Sequence, residues 1–370
     1  MHAHDERLIE GLLAIRAHDG SAVVVRSAAD VAAWVVAEGA APTCAAGWAQ
    51  RRKDGSWQSQ VGGATDTFFD LASVTKPMTA MAFVGSGVPR ETRLGELLSE
   101  ARGTPSEHTP LELLFAHRAG LEGHVALYLP LVTGEPFNRT EALRTAAGLR
   151  RADAQGELPE EGFAPVYSDL GFALAGEALA RARGDVDAGS AIDQLVVAKL
   201  GLLHTLGTPR DLVARGVDLG PRVAPTEDVP FRGGVIRGVV HDENAWALTG
   251  RGGSGHAGMF GTVDSVLRFG QDVMERQDQL GWLLRERPGG TLRAGFDGKS
   301  DTGSSAGTLA SLRTYGHLGF TGTSLWIDPE AQTVVVLLSN RVHPTRANAK
   351  LRDARPRAHD ALFALARASV

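Results

Sequence analysis

The spacing of apolar and polar positions changes several times along the chain, and each change predicts a different kind of element. From Asp5 to Ile15 the apolar residues Leu8, Ile9, Leu12, Leu13 and Ile15 fall at helical spacing, and Ala28 to Glu38 predicts a second helix stopped by Gly39. Cys44 to Gln50 and Ser56 to Val61 are short strand-like runs on either side of Lys53-Asp54-Gly55, a turn sequence that closes hairpins. Between about residues 74 and 255 the strand signal fades and helices dominate, joined by long Gly- and Pro-containing connections.

Within that block, one helix is expected from Asp169 to Gly184. A second is expected to open with Ser190 as its cap, to place Ile192, Leu195, Val196 and Leu200 on one face, and to stop at Gly201. Thr262 caps a helix running towards Met274, and 302–307 reads as a loop. Strands return at Thr323 to Ile327 and Thr333 to Leu338, separated by the turn Asp328-Pro329-Glu330-Ala331, and a last helix covers about Arg357 to Ala368. The order predicts an α/β (α+β) fold: an antiparallel sheet flanked by helices, built from both chain ends, with an all-helical domain inserted. The expected division is 1–75 plus 256–370 for the sheet domain and 76–255 for the helical one, with the active site in the cleft between them.

Composition narrows the function. At 370 residues the chain exceeds the length at which single cores usually stop growing, so two lobes are expected. The net charge of −5 and the scattered Lys and Arg give no footprint for nucleic acid or an anionic membrane, which leaves a small molecule or peptide as the expected substrate. The single Cys44 excludes an intramolecular disulfide framework and a cysteine-based metal cluster. The start, Met1 to Arg7, has no apolar run behind a basic segment, so a cytoplasmic setting is expected unless a leader has been removed.

Three segments carry candidate chemistry. In Phe69-Asp70-Leu71-Ala72-Ser73-Val74-Thr75-Lys76-Pro77 an S-x-x-K pattern lies where a loop enters an apolar helix. Residues three apart share a helix face, so the Lys76 amine would lie beside the Ser73 hydroxyl and could take its proton if burial disfavours the ammonium. The helix start also aims free N–H groups at a developing oxyanion. By itself the pattern reads equally as a serine cap followed by a solvated lysine.

The second segment is Val166-Tyr167-Ser168-Asp169-Leu170-Gly171, where the Tyr167 phenol could shuttle protons or simply pack beside an Asp cap. The third is Tyr315-Gly316-His317-Leu318-Gly319-Phe320-Thr321-Gly322-Thr323. Here Gly319 would admit a substrate close to the backbone, the Phe320 N–H could join that of Ser73 as an oxyanion donor, and His317 could orient a carboxylate or move protons. Read alone, this is a glycine-rich turn with an exposed histidine.

Together, in this order, the three resemble the S-x-x-K, Y-x-N and K-T-G motifs of the class C β-lactamase and penicillin-binding-protein superfamily. Leu113 to Leu121 and Leu200 to Thr205 resemble further segments of that family. His241 to Ala245, Gly255 to Phe260 and Ser339 to Pro344 resemble a bacterial branch of β-lactamase-related serine hydrolases, so the likeness spans about residues 28–365. It implies a β-lactamase/transpeptidase-like fold and an acyl-enzyme mechanism that needs no cofactor or metal. Ser73 would be nucleophile, Lys76 its activating partner, Tyr167 the proton shuttle, and His317, Gly319, Phe320 and Asp169 the substrate-binding and oxyanion positions.

Three departures from the family pattern matter. Asp169 replaces the usual amide and His317 the lysine that binds a β-lactam carboxylate, which argues against efficient β-lactam hydrolysis. Gly85-Ser86-Gly87 stands where a longer helix would continue, implying a more open cleft. Carboxylesterase, D-amino-acid peptidase or amidase, and weak β-lactamase activities all use this machinery, and cell-wall-derived fragments are candidate substrates. The alternative is a non-catalytic relative that binds a peptidoglycan fragment or a partner protein. His241, Glu243 and His256 have metal-ligand chemistry but are expected in structural roles, as is His117 behind the cleft. Oligomeric state is not readable.

Overall fold

The computed structural model describes residues 13–16 and 20–369. Leu13–Arg16 (β1) pairs antiparallel with Ala22–Val25 (β2), so the end of the helix expected from Asp5 to Ile15 is a strand, and its earlier part lies outside the described residues. The β-branched run Val23-Val24-Val25 offers a partner edge, and pairing with it overrides the helical spacing of Leu13 and Ile15. Ala28–Ala37 (α1) follows, capped by the Ser27 side chain on the Asp30 N–H.

Cys44–Arg51 (β3) and Trp57–Gly63 (β4) form the expected hairpin. Near the other end of the chain, Asp297–Gly298 (β5), Tyr315–Leu318 (β6), Ser324–Asp328 (β7) and Thr333–Ser339 (β8) complete one six-stranded sheet. Its order is β5-β6-β7-β8-β3-β4, antiparallel throughout, so the N-terminal hairpin pairs through β3 onto β8. The chain ends in the helix Leu351–Ala368.

Thr333-Val-Val-Val-Leu-Leu-Ser339 is buried along its whole length because both faces of the sheet are covered. Val335 and Leu337 join Trp48 and Trp326 against Trp34 of α1 and Leu362 and Phe363 of the C-terminal helix. Val334 and Val336 point the other way, with Leu325 and Ile327, onto Val266 and Phe269 of the helix Val263–Glu275, which Thr262 caps as expected. Each such side chain stabilises the fold by roughly 1.5–3 kcal/mol. Phe172 and Leu174, from the helical segment, belong to the same cluster, so one core runs under sheet and helices alike.

Between residues 75 and 249 lie helices and two-residue strand pairs. The helix expected to begin at Ser190 instead begins at Ala188, with Asp187 as its cap. The Asp187 carboxylate accepts from the Ser190 N–H at 2.9 Å and also pairs with Arg210, a contact that anchors it ahead of Ser190. The C-terminal helix likewise starts before the expected Arg357, because Leu351 and Ala354 bury against the sheet and Pro356 is accommodated inside it.

Candidate active site

Ser73 follows a short sheet that fixes its approach. Phe69–Asp70 pairs antiparallel with Phe260–Gly261, which pairs in turn with Leu206–Gly207, and the Leu71 N–H donates to the Met259 carbonyl at 2.9 Å. Asp70 is buried and ties the bend: its carboxylate accepts from the Ala72 N–H at 2.8 Å and from the His241 N–H at 2.7 Å. Burial pushes the Asp70 carboxyl up to about 6 against those hydrogen bonds. Ala72 sits in the left-handed region at φ 47°, a conformation that costs a non-glycine residue and persists only where neighbours enforce it. Ser73 lies in the 3₁₀ turn that leads into the helix Thr75–Ser86 (α2) and stays partly exposed.

Lys76, in the first turn of α2, is fully buried. Its Nζ donates to Ser73 Oγ at 2.9 Å, to Asp169 Oδ1 at 2.6 Å and to the His256 carbonyl at 3.3 Å. The Tyr167 hydroxyl reaches Ser73 Oγ at 2.8 Å, and its ring covers the Lys76 ammonium at 4.7 Å. A hydroxyl and an amine from one stretch and a phenol from another therefore meet at one oxygen.

The helix Asp169–Arg183 (α3) supplies two of these positions through its start. Ser168 caps it in an extended conformation, accepting from the Gly171 N–H, so Tyr167 stands just before the cap and Asp169 is the first helical residue. His117 lies behind, where its Nδ1 accepts from the Ser168 N–H at 3.0 Å and its ring stacks on Tyr167 with centroids 4.9 Å apart. Burial pushes His117 down to about 3, so it is a neutral orienting group.

Asp169 departs from its expected place on the substrate side of the cleft: its carboxylate is the ion-pair partner of Lys76. Burial penalises the Lys76 ammonium, but the Asp169 carboxylate outweighs burial and holds the lysine above its ordinary value, while Lys76 holds Asp169 below the usual carboxylate range. The Lys76 amine could take the Ser73 proton only if burial disfavoured the ammonium, and here a neighbouring carboxylate opposes that burial penalty. The second Asp169 oxygen faces the half-exposed His124 at 3.9 Å.

The third segment arrives on β6 and the turn after it. His317 is buried in the strand, not exposed in a turn; its Nδ1 donates to the Leu318 carbonyl at 2.8 Å, and its ring lies 5.8 Å from that of Tyr167. Burial, then the Lys76 charge, push it down to about 3, so it offers hydrogen bonding but no positive charge. Thr321 Oγ1 donates to the Asp70 carbonyl at 2.7 Å and Thr323 Oγ1 to the Leu71 carbonyl at 2.9 Å, which binds the 319–323 turn to the segment entering Ser73. A side chain on Gly319 would run into Thr323 Oγ1 and the Leu71 carbonyl, so the close approach needs glycine. The Phe320 ring is exposed, stacked on His241, with Arg341 and Arg346 over it.

Sequence reasoning did not single out Asp70, Thr321, Thr323 or the His256 carbonyl. Asp two residues before Ala72 is the spacing of an Asx turn, and that signal was available. Of the residues with metal-ligand chemistry, His256 bonds Asp242 at 2.9 Å and Ser254 at 3.1 Å, and Glu243 pairs with Arg346. Among the described residues no group of three or more His, Cys, Asp or Glu is placed to hold a metal ion, and no helix is long and apolar enough to cross a membrane.

The profile of the family described as beta-lactamase matches residues 3–359. The chain belongs to the beta-lactamase family. Among curated proteins, a candidate D-alanyl-D-alanine carboxypeptidase of Escherichia coli K12 is 25% identical over 329 residues, covering 80% of this chain and 74% of the relative. A protein of the same description from Salmonella heidelberg is 30% identical over 210 residues, 50% of this chain and 47% of the relative; at that identity the match spans about half of either protein. Among solved structures, a class C beta lactamase from Rhodobacter sphaeroides superposes with TM-score 0.63 at 18% identity, covering 92% and 99% of the two chains. EstCE1, described as a hydrolase with promiscuous acyltransferase activity, gives TM-score 0.62 at 18% identity over 88% and 96%. These two likenesses carry the fold alone.

Proposed function

We propose that the beta-lactamase-family chain hydrolyses an ester or amide through a covalent acyl-enzyme on Ser73. The observation that carries this reading is the single Ser73 oxygen, partly exposed, held at 2.9 Å from the Lys76 amine and 2.8 Å from the Tyr167 hydroxyl. Oγ attacks the carbonyl carbon, Lys76 and Tyr167 serve its proton and charge, and the Ser73 and Phe320 amides receive the oxyanion. Water then releases the acyl group.

Of the substrate classes open to this machinery, an uncharged ester or amide is the first choice. Neutral His317 and anionic Asp169 supply no cation beside the nucleophile for a β-lactam or peptide carboxylate. A D-alanyl-terminated peptide, the class named for the Escherichia coli relative, is the second substrate to assay. The division into a sheet domain and an inserted helical domain, and the cytoplasmic setting, belong to the same proposal; limited proteolysis and fractionation of the source cells test them.

The decisive experiment compares wild type with Ser73→Ala on p-nitrophenyl butyrate, alongside intact-mass analysis after a fluorophosphonate probe. Hydrolysis is expected to fall by at least about 10³-fold, with one adduct on wild type, none on the variant, and the same circular dichroism for both. Turnover that survives the substitution refutes the assignment. An unlabelled, inactive wild type supports instead the non-catalytic binding reading.

A further inference from the structure

The Lys76 side chain is sealed from solvent, so the identity of its partners decides its charge. An ammonium has three N–H donors, and three acceptors surround this one: Ser73 Oγ, Asp169 Oδ1 and the His256 carbonyl. Two of the three, the carboxylate and the carbonyl, can only accept. Asp169 is the first residue of α3, where the helix dipole favours a negative charge, so the carboxylate is stabilised from its own backbone as well as by the lysine. Deprotonating Lys76 would leave that carboxylate, whose side chain is 20% exposed, without its counter-ion.

The other groups that face the lysine do not change this balance. Tyr167 lies over it and is pushed above the ordinary phenol range by burial, so it is a neutral phenol. His117 behind Tyr167 and His317 on β6 are neutral by burial. His256 is bonded through its ring to Asp242, and His124 stands at the outer oxygen of Asp169. The contacting anion is Asp169 alone among these.

We propose that Asp169 is a positioning residue that keeps Lys76 an ammonium ion throughout the cycle, so that the Ser73 proton leaves through Tyr167 and never rests on the lysine. The inference rests on the acyl-enzyme reading above and specifies its proton route. In acylation the Oγ–H bond breaks as Oγ bonds the carbonyl carbon. That proton passes to Tyr167 Oη while the phenol gives its own to the leaving oxygen or nitrogen, whose bond to carbon breaks. In deacylation the water oxygen bonds the acyl carbon, its proton passes to Tyr167, and the Tyr167 proton returns to Ser73 Oγ as the acyl–Oγ bond opens. No protein group changes charge over either step; Lys76 contributes a hydrogen bond that strengthens as Oγ becomes anionic.

Two measurements test it. The chain has five lysines, so ¹⁵N-lysine labelling, with Lys76→Met to assign the signal, reports the Nζ protonation of wild type directly. The ammonium shift is expected to persist through pH 9, and an amine shift at pH 7 overturns the proposal whether or not the protein is active. The pH profile of kcat/KM on p-nitrophenyl butyrate is the second readout, for wild type, Asp169→Asn and Asp169→Glu. Without the anion, burial lowers Lys76 by up to several pH units. The Asn variant is therefore expected to lose about tenfold relative to wild type between pH 6 and pH 9, and Glu to restore the wild-type profile. An Asn variant whose activity rises over that range, as a lysine base would require, or whose profile superimposes on wild type, overturns the inference. A wild type inactive on every ester and unlabelled at Ser73 defeats the hydrolase reading instead, and leaves the spectroscopic arm to judge the lysine.

Discussion

Adding one methyl group at Gly319 should separate catalysis from folding. A Cβ there would lie 2.0 Å from Thr323 Oγ1 and 2.5 Å from the Leu71 carbonyl, the two atoms whose 2.9 Å hydrogen bond clamps the 319–323 turn to the segment entering Ser73. Ordinary contact begins near 3.4 Å, so the turn must move by about 1 Å, and misplacement of that size costs roughly 10²-fold in rate. The Phe320 N–H moves with it, and losing one oxyanion donor costs about 10²–10³ in kcat. Overpacking of this kind destabilises by about 1–3 kcal/mol, a shift of only a few degrees in a chain of this size. The assay is kcat and KM on p-nitrophenyl butyrate with thermal melting in parallel, and Gly281→Ala, whose Cβ meets nothing within 4 Å, as control. A Gly319→Ala enzyme with kcat within about threefold of wild type would refute the argument that this glycine sets the oxyanion geometry.

Two further outcomes follow from other parts of the structure. Tyr167→Phe removes only the hydroxyl that reaches Ser73 Oγ, so kcat should fall by about 10²–10⁴ while the melting temperature holds; an unchanged kcat would take the phenol out of the proton route. His359 is buried between Ser324 Oγ and the Ser305 carbonyl and is pushed down to about 3, so the unfolded chain binds a proton near pH 6.5 that the fold refuses. The stability it contributes is complete above that pH and is lost as pH falls towards 3; His117 and His317 act in the same direction. Melting temperature should drop between pH 7 and pH 4, less steeply in His359→Gln, and equal slopes would contradict the assignment.

Elements whose signals are local were readable from residues alone. The hairpin at Lys53-Asp54-Gly55, the Thr262 cap and the stop at Gly184, which adopts φ 73°, each depend on a few neighbouring residues. The misreadings are places where a distant partner decided. Asp187 displaced Ser190 as a cap because Arg210 anchors it, and Leu13–Arg16 became a strand because a run of valines stood ready to pair. The last helix is expected to begin near Arg357, yet Leu351 and Ala354 gain enough from burial on the sheet to carry it back past Pro356.

The site divides the same way. That Ser73 and Lys76 share a helix face is a matter of spacing, and spacing is written in the sequence. The charge on Lys76 is not, because it depends on a carboxylate 93 residues further along, whose contact exists only once α2 and α3 have packed. Without that partner burial disfavours the ammonium; with it, the same lysine keeps the proton and stays a fixed cation. On the proposed route, the aspartate at position 169 therefore does more than offer a substrate contact: it decides which group handles the serine proton, and it does so with the S-x-x-K pattern left intact.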